Sequence, residues 1–372
     1  MNKKFYYTLF LSFLLSVSSF AQIVNPGISD SYDSLENGQI SIGGLVDAYY
    51  GYDFNRPNSK DRDYAVSSSR HNEFNINLAY LDIKYKNNRV RAHLVPGFGT
   101  YMNENYVNEK GTGRNLVEAN VGVKISKKRE IWIDAGILGS PYTNESAISK
   151  DHLMYTRSFA AENVPYYLSG IKISIPITPK LNVYGYLING WQQIQDNNRF
   201  LSFGSQLEYR PNKKVLLNWD TYIGNESSNY FSQYRVRYFT DFYMVYKPNE
   251  RWGFTTCAYI GNQEVAQFNS KNKNQIWAQA NFTAAFYTKK NAFFSGRIEY
   301  FTDQQTTIIQ PLNNQNKFSA ASMSLAYNLQ ISSHALFRIE NRFFYSESKI
   351  FSSNSNYKNF DNLLIGNLTV WF

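Results

Sequence analysis

Ionised side chains stand at every second position in several stretches of this chain: Arg235, Arg237 and Asp241, then Arg297 and Glu299, then Arg338, Glu340 and Arg342. The residues between them are oily: Tyr234, Val236, Tyr238, Phe242, Met244 and Tyr246 in the first stretch, Ile298 and Tyr300 in the second, Phe337, Ile339, Phe343 and Tyr345 in the third. A period of two is that of a β-strand, so charge lies on one face and apolar surface on the other. Arg91 and His93 against Val90, Ala92, Leu94 and Phe98 follow the same rule. If the apolar face meets lipid, an Arg there costs about 2–4 kcal/mol near the midplane, so the charges must point inward. An ionised wall around water can steer charged and hydrophilic solutes.

The expected pore-lining residues are therefore Arg91, Lys124, Asp134, Lys172, Arg235, Arg237, Asp241, Arg297, Glu299, Arg338, Glu340 and Arg342. The full inward set adds Arg210, Asp47, Glu118, Glu208 and Asp220, giving nine cations and eight anions and little reason for strong ion selectivity. The formal net charge is +9, of which Lys3 and Lys4 belong to a leader and much of the rest to short turns. That excess suggests a mild anion preference, against the plainer reading of a solvated, mutually paired wall.

Other chemistry is thinly supported. The four histidines, at 71, 93, 152 and 334, lie far apart, and no Gly-x-Ser-x-Gly elbow occurs. Ser149, Asp151 and His152 are the only local catalytic grouping, in a segment where scattered polar residues are expected. The glycine pairs at 97/99 and 111/113 lack a following helix and the later Lys or acid of nucleotide motifs. The single cysteine, Cys257, excludes an internal disulfide and a cysteine-based zinc site and reads as a small lumen-facing residue. No enzyme, metal or cofactor is expected. The pI of about 9.2 does not point to nucleic acid, because the basic residues are spread through turns.

Sixteen period-two segments would position these residues, over 40–52, 74–86, 89–102, 115–126, 130–142, 166–176, 181–192, 201–210, 214–224, 233–246, 251–262, 275–287, 292–302, 317–328, 333–346 and 360–372. Their connections alternate. Tight polar turns such as Lys86-Asn87-Asn88, Lys127-Lys128-Arg129 and Lys247-Pro248-Asn249-Glu250 separate longer segments rich in Asn, Ser, Asp and Gly at 53–73, 103–114, 143–165, 193–200, 225–232, 263–274, 303–316 and 347–359. Seven turns alternating with eight loops demand an even strand number, with both chain ends on the turn side. The fold class is all-β: a single closed antiparallel transmembrane β-barrel of about 16 strands, with short periplasmic turns and long extracellular loops. In 74–86 the parity fails, because Phe74, Ile76, Leu78 and Tyr80 share a face with Asp82 and Lys84. A bulge would switch the faces there.

The ends agree with export to an outer membrane. Lys3 and Lys4, the apolar run Phe5–Val17 and Ser19-Phe20-Ala21 read as a secretory signal peptide over 1–21, cleaved before Gln22. Residues 22–38 are then a short periplasmic segment, too small to plug the barrel, which occupies 39–372. Beyond residue 21 no run of about 18 apolar residues exists, and mean hydropathy is −0.45, which excludes helical spans. Leu364, Gly366, Leu368, Val370 and Phe372 form a last strand with one oily face, suited to lipid and to recognition by a barrel-assembly machinery. Sixteen strands leave an aqueous lumen unless something fills it. The third loop, 143–165, carries Arg157 and Glu162, which become constriction charges if that loop folds inward.

The words Ala135-Gly136, Gly139-Ser140-Pro141-Tyr142, Glu145-Ser146, Tyr155-Thr156-Arg157-Ser158, Pro165-Tyr166-Tyr167, Ser169-Gly170-Ile171 and Asn189-Gly190-Trp191 resemble the OmpL-like β-barrel porins of Gram-negative bacteria. The chain departs from that family's Gly-aromatic-Glu run at Pro141–Glu145. The resemblance implies an outer-membrane channel, and the Tyr, Asn and Lys bias a Bacteroidetes-like source; it carries no ligand residues. Asn189-Gly190-Trp191 reads as a strand end with an interfacial Trp. The expected function is a passive porin for ions and small hydrophilic solutes. The alternative is an adhesin or receptor barrel that binds an external partner through loops 53–73 and 143–165. General porins are often homotrimers, but no lipid-facing stripe of small residues marks such a contact.

Overall fold

Valine, isoleucine, tyrosine and phenylalanine fit a pleated surface that is oily on one side, and here they form strands almost throughout. The computed structural model describes residue 35 and residues 37–227, 235–265 and 273–372. The leader expected over 1–21 and most of 22–38 lie outside the described residues, as do parts of the loops at 225–232 and 263–274.

The strands are β1 (Gln39–Asp53), β2 (Phe74–Lys86), β3 (Val90–Phe98), β4 (Leu116–Lys124), β5 (Trp132–Gly139), β6 (Tyr167–Thr178), β7 (Leu181–Ile188), β8 (Ser202–Asn212) and β9 (Val215–Asn225). They continue as β10 (Arg235–Tyr246), β11 (Trp252–Val265), β12 (Lys273–Lys289), β13 (Ala292–Asp303), β14 (Phe318–Ser332), β15 (Ala335–Tyr345), β16 (Phe351–Ser353), β17 (Asn356–Lys358) and β18 (Phe360–Trp371). Among the described residues sixteen of these, all but the small β16–β17 hairpin, make one closed antiparallel barrel. Neighbours in sequence are neighbours in the sheet, and β18 closes on β1 from Leu45↔Trp371 to Asp53↔Leu363. Several tight turns use a side-chain oxygen as a backbone surrogate, serine or threonine in some and asparagine in others. Asn87 Oδ1 accepts from the amides of Arg89 and Val90, and Asn249 Oδ1 from those of Arg251 and Trp252.

Face assignment follows parity. On β10 Tyr238 and Phe242 are exposed on the outer surface while Arg237 and Asp241 are buried inside; on β15 Ile339, Phe343 and Tyr345 oppose Arg338, Glu340 and Arg342. Leu364, Leu368, Val370 and Phe372 all point outward on or just past β18. Strand β2 contains the bulge its sequence demands. Asp47 pairs with Leu78 but Ala48 with Ile76, leaving Asn77 unopposed. Phe74, 87% exposed, therefore faces out, whereas Leu78, fully buried, faces in.

Two strands stop four residues earlier than their periodicity predicts. β3 ends at Phe98 because Gly99, at φ 134°, turns the chain into the short helix α1 (Thr100–Asn105). β7 ends at Ile188, and Trp191 belongs to the loop that follows.

Candidate functional site

The third loop leaves the wall where β5 ends, crosses the lumen and returns at β6. Near its start, the Thr143 amide donates to Asp241 Oδ2 on β10 (2.9 Å), and Asn144 Nδ2 to Thr255 Oγ1 on β11 (2.9 Å) and Asn281 Oδ1 on β12 (3.2 Å). Farther across, the amides of Tyr155 and Thr156 both donate to Glu340 Oε2 on β15, at 2.8 and 2.9 Å, and Ser295 Oγ on β13 donates to the Leu153 carbonyl (2.6 Å). Ser149 Oγ meets Thr369 Oγ1 on β18 (3.1 Å). The loop thus spans from β5 to the closing strand.

Arginines hold its carbonyls. Arg338 Nη2 donates to Ser149 O (2.8 Å), Arg297 Nη1 to Thr156 O (2.6 Å) and Arg342 Nη1 to Arg157 O (2.7 Å). Carboxylates hold its amides in turn: Phe159 N donates to Glu299 Oε2 (2.6 Å), and Ser158 N to the loop's own Glu145 (2.6 Å). Their charges are mutually balanced, with Arg297 3.1 Å from Glu145 and 3.3 Å from Glu299, and Arg342 2.5 Å from Glu299. Hydrogen bonds to charged groups contribute about 1.5–3 kcal/mol each, and buried charges persist only when so paired.

Arg297, Glu299, Arg338, Glu340, Arg342 and Asp241 therefore face inward as parity requires, but they are buried against loop 3 rather than open to water. Arg157 does not reach across to Arg235, Arg338 or Arg342 as a constriction charge would. Its guanidinium folds back onto the carbonyls of Ser146, Tyr155 and Ala147. Glu162, on the helical turn α2 (Phe159–Glu162), accepts from the Val66 amide of loop 1 (2.8 Å). Burial raises its carboxyl to about 7, opposed by the Val66 hydrogen bond and the Arg157 charge.

Of the remaining predicted charges, Arg91, Asp134, Lys124 and Lys172 lie nearer the periplasmic ends of the strands, and Arg235 and Arg237 at the loop end of β10. Arg91 makes a two-pronged contact with Asp134 (2.7 and 2.5 Å) and lies over Trp132, Lys124 pairs with Glu130, and Lys172 is buried on the inner face of β6. Arg235 is half-buried at the start of β10. Arg237 donates to Gln263 Oε1 and sits between Trp191 and Trp277, 5.0 and 5.5 Å from their ring centroids. The interfacial reading of Trp191 is corrected here: the ring stacks on Tyr142 (5.9 Å) and meets Tyr222 and Phe239 edge-on inside the barrel. Its position in a loop beside an inward Arg, not in a strand, decides this.

The local Ser149, Asp151 and His152 grouping is not assembled. His152 Nε2 meets Ser146, Ser149 meets Thr369, and Asp151 pairs with Lys150 at 2.7 Å. Burial, with Arg157 and Arg338 nearby, keeps the imidazole well below its ordinary value. Among the described residues no group of three or more His, Cys, Asp or Glu side chains is placed to hold a metal. Sequence reasoning missed Glu145 as a partner of the wall; an acid near the start of a loop opposite inward arginines was the available signal. It also missed His93 set between Asp82 (2.9 Å) and Glu118 (3.2 Å).

A family model described as putative beta-barrel porin-2, OmpL-like, matches residues 39–372. No protein of curated function matches the chain by sequence. Among solved structures, the outer-membrane channel DcaP of Acinetobacter baumannii superposes with a TM-score of 0.63 at 10% identity, covering 93% of this chain and 100% of that one. The anion-selective porin of Comamonas acidovorans gives 0.58 at 7%, with 90% and 100% covered, and OmpT, an outer-membrane protein of Vibrio cholerae, gives 0.56 at 9%, with 91% and 98% covered. At such identities the likeness is one of fold.

Proposed function

Since this chain belongs to the putative beta-barrel porin-2, OmpL-like family of outer-membrane barrels, we propose that it is a passive channel for small hydrophilic solutes, narrowed by loop 3. The observation that carries this is the loop's path across the lumen, anchored on β10–β13, β15 and β18. A loop pinned by buried ion pairs is a fixed constriction, not a flap, so solutes are sorted mainly by size. Mild anion preference rests on the formal net charge of +9, because the wall pairs are mixed: Arg91 and Arg210 are more exposed than Asp134 and Glu208, at 12% against 2% and 31% against 5%, whereas Glu130 and Asp82 are more exposed than Lys124 and Lys84, at 61% against 17% and 20% against 12%.

Planar-bilayer recording of the purified protein tests the proposal. Discrete steps smaller than those of wide general porins, with a reversal potential in a KCl gradient displaced modestly toward chloride, are expected. A reversal potential at zero or toward potassium would remove the anion preference. A silent bilayer would favour the receptor alternative, which has an observation of its own: loops 1 and 8 are tied into one extracellular surface, with Ser352 N on Asp63 (2.5 Å) and Tyr64 Oη donating to Ile350 O (2.7 Å).

A further inference from the structure

Below loop 3, on the turn side of the barrel, lies a cavity of about 350 Å³. This is at the lower end of the ~300–1,000 Å³ typical of small-molecule sites. Its roof is the underside of loop 3, including Lys150 and His152, and its walls are the periplasmic ends of β10–β15 and β18. Three aromatic residues of inward parity line it. Tyr287 and Phe293 lie 4.8 Å apart, and Trp371 faces them from the closing strand. Each side of this aromatic lining carries a cation: Lys247 Nζ is 4.9 Å from the Tyr287 ring centre and Lys150 Nζ 5.9 Å from that of Trp371. The lining carboxylates are already engaged, Asp151 by Lys150 and Glu145 by Arg297. Among the described residues no carboxylate comes within ion-pair reach of Lys247. Thr283 and Gln330 add a hydroxyl and an exposed amide.

We propose that this vestibule is a binding subsite for an acidic sugar of the hexuronate type, on its way through the channel inferred above, on which the proposal rests. The C–H face of a pyranose lies on an aromatic ring, its carboxylate takes an ammonium, and its hydroxyls find the amide and hydroxyl groups. A neutral sugar would leave Lys247 without an anion, Lys150 being already held by Asp151; an aromatic carboxylate would leave Thr283 and Gln330 unanswered. The site adjoins the passage, so binding must be weak enough for release.

The test is saturation-transfer NMR and calorimetry on the detergent-purified full-length protein, titrated with glucuronate, glucose and benzoate. Millimolar glucuronate binding is expected, with glucose and benzoate at least about tenfold weaker and Lys247→Met or Tyr287→Leu weakening glucuronate by a similar factor. Lys247→Arg should retain binding, and unheated gel mobility identifies folded variants. Equal affinity for glucose, preference for benzoate, or indifference to both Lys247→Met and Tyr287→Leu overturns the proposal. Conduction is read separately. Channel steps without glucuronate binding would sink the subsite and leave the porin reading intact. Glucuronate binding without current would overturn the channel reading and leave a binding site that is not a subsite of passage.

Discussion

Glu340 illustrates how much of the lumen depends on single side chains. It receives two loop amides and the Thr156 hydroxyl while sitting 3.8 Å from Arg297 on the neighbouring wall. Glu340→Ala leaves those amides unpaired and removes one of the carboxylates that balance Arg297, Arg338 and Arg342, so a loss of about 3–5 kcal/mol is expected in urea unfolding. Glu340→Gln keeps an acceptor and should fall between. Glu162 makes the opposite kind of prediction, one about pH. Its proton is held more tightly in the folded protein, up to about 7, than in the unfolded chain, whose carboxyl titrates near 4.5. The folded state therefore binds more protons across that window, and the loop 1–loop 3 contact weakens as pH rises through it and then levels off. Hydrogen exchange of the Val66 region, compared at each pH with Glu162→Gln, should show a protection ratio that falls between about 4.5 and 7; a flat ratio would refute the assignment.

At the scale of elements, strands were legible because each carries two-residue alternation, and many of the tight turns are closed by a local Asn, Ser or Thr side chain. Strand β2 was illegible in one respect only. The extra residue could be inferred from Asp82 and Lys84, but its position depends on contacts the local sequence does not contain. Asn77 occupies the bulge because its side chain bridges Asp47 Oδ2 (3.0 Å) and the Ser68 amide (2.6 Å). The path of loop 3 was hidden for the same reason, since Tyr155 and Glu340 are 185 residues apart. A substitution series tests the corner. Asn77→Ala should cost about 1–3 kcal/mol by stranding the Ser68 amide. Gly99→Ala should be worse, because φ there is 134° and a Cβ would sit 2.4 Å from Asn77 O. Gly111→Ala, at φ 63° with nothing within 4 Å of the added carbon, should cost only about 1 kcal/mol. Folded fractions on unheated gels rank the three, and equal behaviour of Gly99 and Gly111 would contradict the geometry.

For the whole molecule, the barrel and its contents are separable. The sheet closes on itself through strand pairing alone, and loop 3 contributes no strand to it. Removing 143–163 would uncover Arg297, Arg338 and Arg342 together with Asp241, Glu299 and Glu340. These would be hydrated rather than left buried without partners, so excision of the whole loop should destabilise less than Glu340→Ala does with the loop in place. Three cations against three anions also predict what the widened channel does. Single-channel conductance in a planar bilayer should rise well above that of the intact protein, while the reversal potential in a salt gradient moves toward zero, because the exposed lysine of the loop is gone and the uncovered wall is balanced. Unchanged conductance would mean that the solute path avoids loop 3. A strong new selectivity would mean that the wall charges are not paired once the loop has left.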